Sequence, residues 1–298
     1  FDNVALFEPN VVSYLELLRV PYTGSNSRGL LLAKDKGLSK KLLAYHRIPM
    51  PEFMIVRRAQ KIRLPKRLRF PLIVKSLTEQ SSLGISQASV VEDPMKLQER
   101  VAFIHESVGT DALVERFIDG RELYVGVIGN QRLRVLPVWE MLFTKMPDDV
   151  RHIATERVKW SRKYQEKYGI KTGELRDVPE EVCERIQHLC KRVYRSLDLS
   201  GYARIDLRLD KEGKVYVLEA NPNPQIARDE DFAESAKRAG VSYKALLQRI
   251  LTLGLQQTGP AHHLAGGRRR EAPSSSHRAP QRLHLRFSVV CGLAGWPV

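Results

Sequence analysis

YARIDLRLDKEGKVYVLEANPNP, residues 202–224, decides how this chain is read. Two apolar runs flank the turn-forming DKEG, so the segment predicts a hairpin with strands at 202–209 and 214–221. Alternation puts Arg204, Asp206 and Arg208 on one face of the first strand, with Ile205 and Leu207 on the other. In the return strand Val217, Glu219 and Asn221 share a face, and Tyr216, Leu218 and Ala220 take the opposite one. A four-residue loop over 211–214 pairs 210 with 215, which sets Asp206 opposite Glu219 and Arg204 opposite Asn221. Two carboxylates would then stand roughly 5 Å apart at Cβ, a repulsive arrangement that calls for a cation between them. A hard metal ion fits one reading: Asp206, Glu219 and Asn221 form an oxygen-only ligand set of the kind Mg²⁺ takes. An ion-pair ladder fits the other, with Arg204 or Arg208 answering Asp206. The hairpin by itself leaves both open.

Outward from the hairpin the chain alternates helix and strand signals. VVSYLELLRVPYTGS, from Val11, predicts a short amphipathic helix, a short strand and a turn. DKGLSKKLLAYHRIPMPEF predicts a helix with Leu38, Leu42 and Leu43 on one face, stopped by Pro49 and Pro51. FPLIVKS (70–76) is a compact apolar strand, followed by the polar loop TEQSSLGIS. An Asp-capped helix is predicted over 93–107, and strands over 111–118 and 121–138, the latter folded at Gly129-Asn130. Residues 144–173 read as a long polar loop or lid, in which Tyr164 and Tyr168 are packing residues. A helix over 179–199 and one or two closing helices beyond Asp229 complete an α+β chain of two lobes.

Size and composition restrict the function classes. A chain of 298 residues with 43% hydrophobic content can fill one large or two ordinary cores. No apolar run approaches the roughly 20 residues that span a bilayer, so no membrane partner is expected. Cys183, Cys190 and Cys291 fit neither a disulfide framework nor a metal pattern; the first two share a helical face, and a cytoplasmic setting is expected. His46, His152 and His188 are isolated and carry no role. The net charge of +15 suits nucleic acid, an acidic surface or small anions. Part of it lies in 258–298, whose Gly, Pro, Ser, His and Arg predict a disordered basic tail.

Further polar groups follow in order. Lys75 closes the apolar strand just before SSLGI, where a lysine and backbone amides could hold phosphate oxygens. VERFIDGREL places Glu115 and Glu122 on either side of the Asp119-Gly120 turn, a pair that could serve an adenine amino group and ribose hydroxyls. Taken together, DKGLSK, the strand ending in Lys75 with SSLGI, VERFIDGRE, and RIDLRLD with YVLEANPNP resemble the ATP-grasp superfamily, most closely its D-alanine–D-alanine ligase-like branch. The resemblance runs from about residue 11 to 255.

It implies an ATP-grasp fold of two α+β lobes gripping a nucleotide, preceded by a truncated N-terminal α/β domain. The boundaries expected are 1–34 for that remnant, 35–110 for the small lobe, 111–257 for the large lobe with the metal site, and 258–298 for the tail. Lys36 and Lys75 would contact ATP phosphates, Ser81, Ser82 and Gly84 would form the phosphate loop, and Lys159 would reach the γ-phosphate from the lid. Glu115 with the backbone of Phe117 and Ile118 would hold adenine, and Glu122 the ribose. Arg204 would steady a tetrahedral oxyanion, and Asp206, Glu219 and Asn221 would bind two Mg²⁺ ions, with Mn²⁺ an alternative. The activity implied is ATP-dependent, ADP-forming ligation of a carboxylate to an amine through an acyl phosphate. Its partners would be small amino acid or peptide-like molecules rather than nucleic acid, and the resemblance allows a homodimer.

Several residues depart from the pattern. Gln80 stands where the ligases have glycine, and Trp160 where they have tyrosine. No serine follows Asn221 to hold a terminal carboxylate, although Arg228 could hold an anion, and the HGxxGEDG-type loop is absent. These departures put D-alanine specificity in doubt, and the reading is a carboxylate–amine ligase whose two substrates the sequence does not identify. D-alanine–D-alanine ligase proper, an ATP-binding protein without turnover, and nucleic-acid binding through the tail are the competing readings.

Overall fold

The computed structural model describes residues 7–79, 82–147 and 149–257. The tail beyond 257, with Gln80 and Ser81, lies outside them. Three helices open the chain: α1 (Glu8–Leu17), α2 (Ser27–Lys34) and α3 (Lys36–Tyr45). Asn26 caps α2 by accepting from the Gly29 amide at 2.6 Å, and Asp35 caps α3 through the Leu38 amide at 2.9 Å. No strand forms between α1 and α2, contrary to the sequence reading, and α2 stands in addition to the helices read there.

Strands β1 (Phe53–Val56), β2 (Leu72–Ser76) and β3 (Val90–Val91) come next, with helix α4 (Pro94–Phe103) and strand β4 (Ala112–Arg116) after them. They form a four-stranded sheet in the order β1-β4-β2-β3, covered by α4. Leu72, Val74, Leu97, Val101 and Val114 fill its core. Because β4 pairs with both β1 and β2, the small sheet reaches Arg116. A lobe boundary at residue 110 would remove one of its two inner strands. Apolar β4 looks alike in either sheet, and only its distant partners decide the assignment.

The chain crosses at Gly120, whose φ of +154° and closeness to the Leu209 carbonyl leave no room for a Cβ atom. Strands β5 (Arg121–Ile128), β6 (Arg134–Val135) and β7 (Trp139–Phe143) follow, β6 folding back on β5 around Gly129. The lid is not a plain loop: it holds helices α5 (Glu156–Trp160) and α6 (Arg162–Tyr168) and ends in strand β8 (Ile170–Glu174), which pairs with β7. Tyr164 and Tyr168 pack against each other within it at 4.5 Å between ring centroids.

Helix α7 (Glu180–Ser196) then lies against the sheet completed by β9 (Tyr202–Leu209) and β10 (Val215–Asn221). The order is β10-β9-β5-β7-β8, with β6 beside β5. Ile186, Leu189, Cys190 and Val193 of α7 meet Val125, Ile205, Leu207 and Val217 in the largest core, with Cys183 packed at its margin as expected. Each such side chain contributes about 1.5–3 kcal/mol by leaving water. Helices α8 (Asp231–Arg238) and α9 (Tyr243–Leu255) cover the sheet's other end around Phe232 and Leu246. Among the described residues no helix is long and apolar enough to cross a membrane.

The β9–β10 hairpin corrects the sequence reading at its turn. Asp210 donates its amide to Lys214 at 3.0 Å, closing a loop of three residues in which Gly213 has a φ of +76°. Val215 therefore pairs with Leu209 and Val217 with Leu207. Continued regularly, that register would put Glu219 opposite Ile205, facing the core. A β-bulge at Leu218 shifts the register, so Glu219 pairs with Asp206 and Asn221 with Arg204, as anticipated. Val217, by contrast, lies in the core with Leu207 rather than on the face of Glu219, while Leu218 turns to the cleft.

Candidate active site

The two sheets face each other across a cleft of about 790 Å³ including its mouth. β2 supplies Ile73 and Lys75 to it, β4 Glu115, the crossing Phe117 and Ile118, and the hairpin Asp206, Leu218 and Glu219. Lys36 and Lys159 enter from α3 and α5. Of the residues named in the sequence, Lys36, Lys75, Ser82, Glu115, Phe117, Ile118, Glu122, Lys159, Asp206 and Glu219 line this one cleft. Gly84, Arg204 and Asn221 do not line it: Gly84 lies between the lining residues Leu83 and Ile85, Arg204 bonds the lining Asp206, and Asn221 pairs with Arg204; Ser81 lies outside the described residues.

At the floor, buried Asp206 receives two bonds from Arg204, 2.7 and 2.8 Å long. Of the two arginines read as its possible partners, Arg204 is therefore the one. Arg208 instead bonds Glu122 at 2.9 Å and the carbonyls of Gly120 and His152, both at 2.8 Å. Glu219 faces Lys36 at 3.6 Å. Burial pushes the Glu219 carboxyl up, but Lys36, Lys159 and Lys75 more than offset this and hold it down at about 2. For Asp206 burial prevails over Arg204, with Glu219 adding to the rise. The site thus holds two adjacent carboxylates in opposite surroundings, with the Asn221 amide oxygen on the same strand.

This donor set fits a hard divalent cation. Its members are all oxygens, two of them sit on directly paired residues of a rigid ladder, and the flanking groups are cations that neutralise them from the sides. Among the described residues no cluster of three His, Cys, Asp or Glu side chains could hold a metal, so the third protein ligand would be the amide of Asn221.

Glu115 differs from its expected adenine role in one respect: both oxygens already carry a lysine. Lys40 lies 2.5 Å from one and Lys75 2.9 Å from the other, and Glu115 is 1% exposed. Burial raises its carboxyl, and the two ammonium groups more than reverse that. Glu122 likewise spends its oxygens on Arg208 and on the Tyr124 hydroxyl at 3.0 Å, rather than presenting them to a ribose. The Phe117 amide is bonded to the Pro71 carbonyl at 2.9 Å, so that donor is taken. Ile73, Phe117 and Ile153 form an apolar cluster at this end, suited to a flat ring.

Sequence reasoning overlooked Lys40, although DKGLSK places it one helical turn after Lys36. It also overlooked Glu156. This lid residue accepts from the Gly84 amide at 3.2 Å and donates its own amide to the Ile85 carbonyl at 3.0 Å, clasping the small-lobe turn. Lys159 lies one turn further along the same short helix. Replacing Glu156 by Ala should raise the KM for ATP about threefold to tenfold, the worth of one charge-assisted bond at an accessible site. Amide hydrogen exchange in the Ser82–Ile85 turn should speed up in parallel.

Trp160, at the end of α5, is 63% exposed. Arg228 is not an anion holder in this cleft: it stacks over Tyr243 at 5.0 Å, in a separate concavity along α9.

Comparison with known proteins agrees with this architecture. The family described as D-ala D-ala ligase C-terminus matches residues 42–252. Uncharacterized protein y4sG of Sinorhizobium fredii is 34% identical over 242 residues, covering 81% of this chain and 68% of that one. A D-alanine–D-alanine ligase of Desulforudis audaxviator is 34% identical over 256 residues, covering 83% and 77%. The crystal structure of a Bacillus anthracis D-alanine–D-alanine ligase complexed with ATP superposes with a TM-score of 0.67 at 26% identity, covering 83% of this chain and 74% of that one.

Proposed function

Because the chain belongs to the D-alanine–D-alanine ligase family of ATP-grasp proteins, we propose that its cleft joins a carboxylate other than D-alanine to an amine. It is an ATP-dependent, ADP-forming carbon–nitrogen ligase. A carboxylate oxygen attacks the γ-phosphorus and ADP departs, leaving an acyl phosphate. The amine then attacks the acyl carbon, phosphate leaves, and the nitrogen gives up a proton as the amide forms.

The reading rests above all on one observation: Asp206 and Glu219, paired across two strands, face a cleft into which Lys36, Lys75 and Lys159 converge. Lys36 and Lys75 would hold the phosphates from the small lobe and Lys159 from the lid, offsetting charge on the transferring group. Asp206, Glu219 and Asn221 would hold Mg²⁺, which when bound supplies further neutralisation of that charge. Arg204, half-buried and steadied by Asp206 and by the Tyr124 ring at 4.6 Å, would donate to the oxyanion of the second step. Phe117 and Ile118 would receive the adenine.

Residues beyond Asn221 support a substrate other than D-alanine. The serine expected of a carboxylate-binding segment is replaced by a helix start that carries Glu230, Asp231 and Glu234. The terminal carboxylate of a D-alanine amine substrate would thus meet the acidic Glu230 and Asp231 in place of a serine hydroxyl.

A phosphate-release screen of amino acids, dipeptides and small carboxylates with Mg-ATP tests this. Release is expected only with a carboxylate and an amine together, and not with D-alanine alone. Substantial D-alanyl-D-alanine formation would overturn the substrate assignment. ATP binding with no release from any pair would favour a nucleotide-binding protein without turnover.

A further inference from the structure

Lys40 is buried to 2% exposure and does not line the cleft, yet it sits in an ion pair with Glu115, which does. Its ammonium lies 2.5 Å from Glu115 Oε1, and Lys75 approaches Glu115 Oε2 from the cleft side at 2.9 Å. Three charged groups therefore stand in a row from the interior outward: Lys40, Glu115, Lys75. The other neighbour of the Lys40 ammonium that matters is the Phe53 ring, 5.8 Å away.

As a device for stability this row is a poor choice. Each buried charge carries a desolvation cost, and one lysine already suffices to neutralise one carboxylate. A Met at position 40 would fill similar space without that cost. As a device for binding, the row makes sense. With Lys40 present, the carboxylate is shared and the row keeps a net charge of +1, whose outer end, Lys75, opens to the cleft. With Lys40 absent, Glu115 would belong to Lys75 alone and the row would be neutral. The ammonium facing the cleft would then be quenched from behind.

We propose that Lys40 is a positioning residue for the nucleotide site, holding Glu115 from the interior so that this carboxylate does not take up the whole positive charge that Lys75 presents to phosphate. This rests on the reading of the cleft as the ATP site. Lys40 itself touches neither nucleotide nor reacting atoms. It shares a face of α3 with Lys36, so one helix serves the phosphate end of the cleft twice, directly and from behind.

The test compares wild type with Lys40→Met and Lys40→Arg, using Mg-ATP and inorganic tripolyphosphate as ligands in calorimetry and following thermal unfolding. Lys40→Met should bind both ligands about tenfold more weakly, the size of effect expected from one unit of charge acting through partly polarisable surroundings. It should unfold at the wild-type temperature or above, and once saturated with ATP it should keep its kcat. Lys40→Arg should bind within about threefold of wild type, since it restores the cation. A merely structural lysine gives the reverse: lower unfolding temperature for Lys40→Met with affinity unchanged, and that result would overturn the proposal. If wild type binds ATP and Lys40→Met binds it equally well, the Lys40 assignment alone fails. If wild type binds neither ligand, the nucleotide-site reading fails and the assignment falls with it.

Discussion

Replacing Glu219 by Gln should lower turnover by about a thousandfold while leaving the fold intact, because it removes one of the two charges that would hold the metal against the phosphates. The side chains are nearly the same size, so the bulge at Leu218 and the pairing with Asp206 can persist. Lys36, Lys159 and Lys75, which together hold the Glu219 carboxyl down at about 2 against the rise from burial, would face a neutral amide. ATP could still bind through those lysines, so the loss should fall mainly on kcat. The acid limb of the stability curve gives a second readout. A carboxyl whose folded value lies below its ordinary 4.5 stabilises the fold above that pH, and the contribution disappears as pH falls toward 2. In Glu219→Gln that part of the limb should vanish. Steady-state kinetics of the best substrate pair found in the screen, with urea titrations between pH 2 and pH 5, would measure both effects. Turnover within tenfold of wild type would remove Glu219 from the metal site.

How much of this was legible in the sequence depends on how local the cause is. The hairpin's strands were legible because alternation and the DKEG turn lie within one short segment. The carboxylate pairing was reached through a different turn from the real one: a three-residue loop and a bulge at Leu218 arrive at the register that a four-residue loop and a regular ladder would also give. Nothing in YVLEAN marks Leu218 as the extra residue, since an apolar side chain can line a cleft as readily as a core. Glu115 was recognised as part of the site, but its two lysines come from α3 and β2, and only the folded chain brings them together. The assignment of β4 to the small sheet failed to show for the same reason. Lid helices α5 and α6 are short and polar, held by Thr155 and Ser161 caps rather than by an apolar stripe, so periodicity alone reads them as loop.

Glu115→Ala should be the most damaging substitution to the fold itself, costing about 3–5 kcal/mol, because it strands the buried Lys40 ammonium and the half-buried Lys75 at once. A domain of ordinary stability has about 5–15 kcal/mol in all, so the variant should be marginal at room temperature. The reasoning is asymmetric. Removing Lys40 leaves a balanced pair, whereas removing Glu115 leaves Lys40 and Lys75 with no counterion between them. The Lys40→Met change should therefore rescue much of the loss in the double variant, since one stranded charge is gone. A double-mutant cycle by urea denaturation should show a coupling well above about 0.5 kcal/mol, the scatter seen for independent sites. The pH dependence has a definite sign. Burial raises the Glu115 carboxyl, the two lysines lower it further than burial raises it, and the net value lies below the ordinary 4.5. Its contribution is thus fully present above pH 4.5 and declines as pH falls below that. Wild type and Glu115→Ala should converge in stability as the solution is acidified. If Glu115→Ala unfolds within about 1 kcal/mol of wild type at neutral pH, then the lysines find water or other acceptors, and the charged row does not govern this lobe.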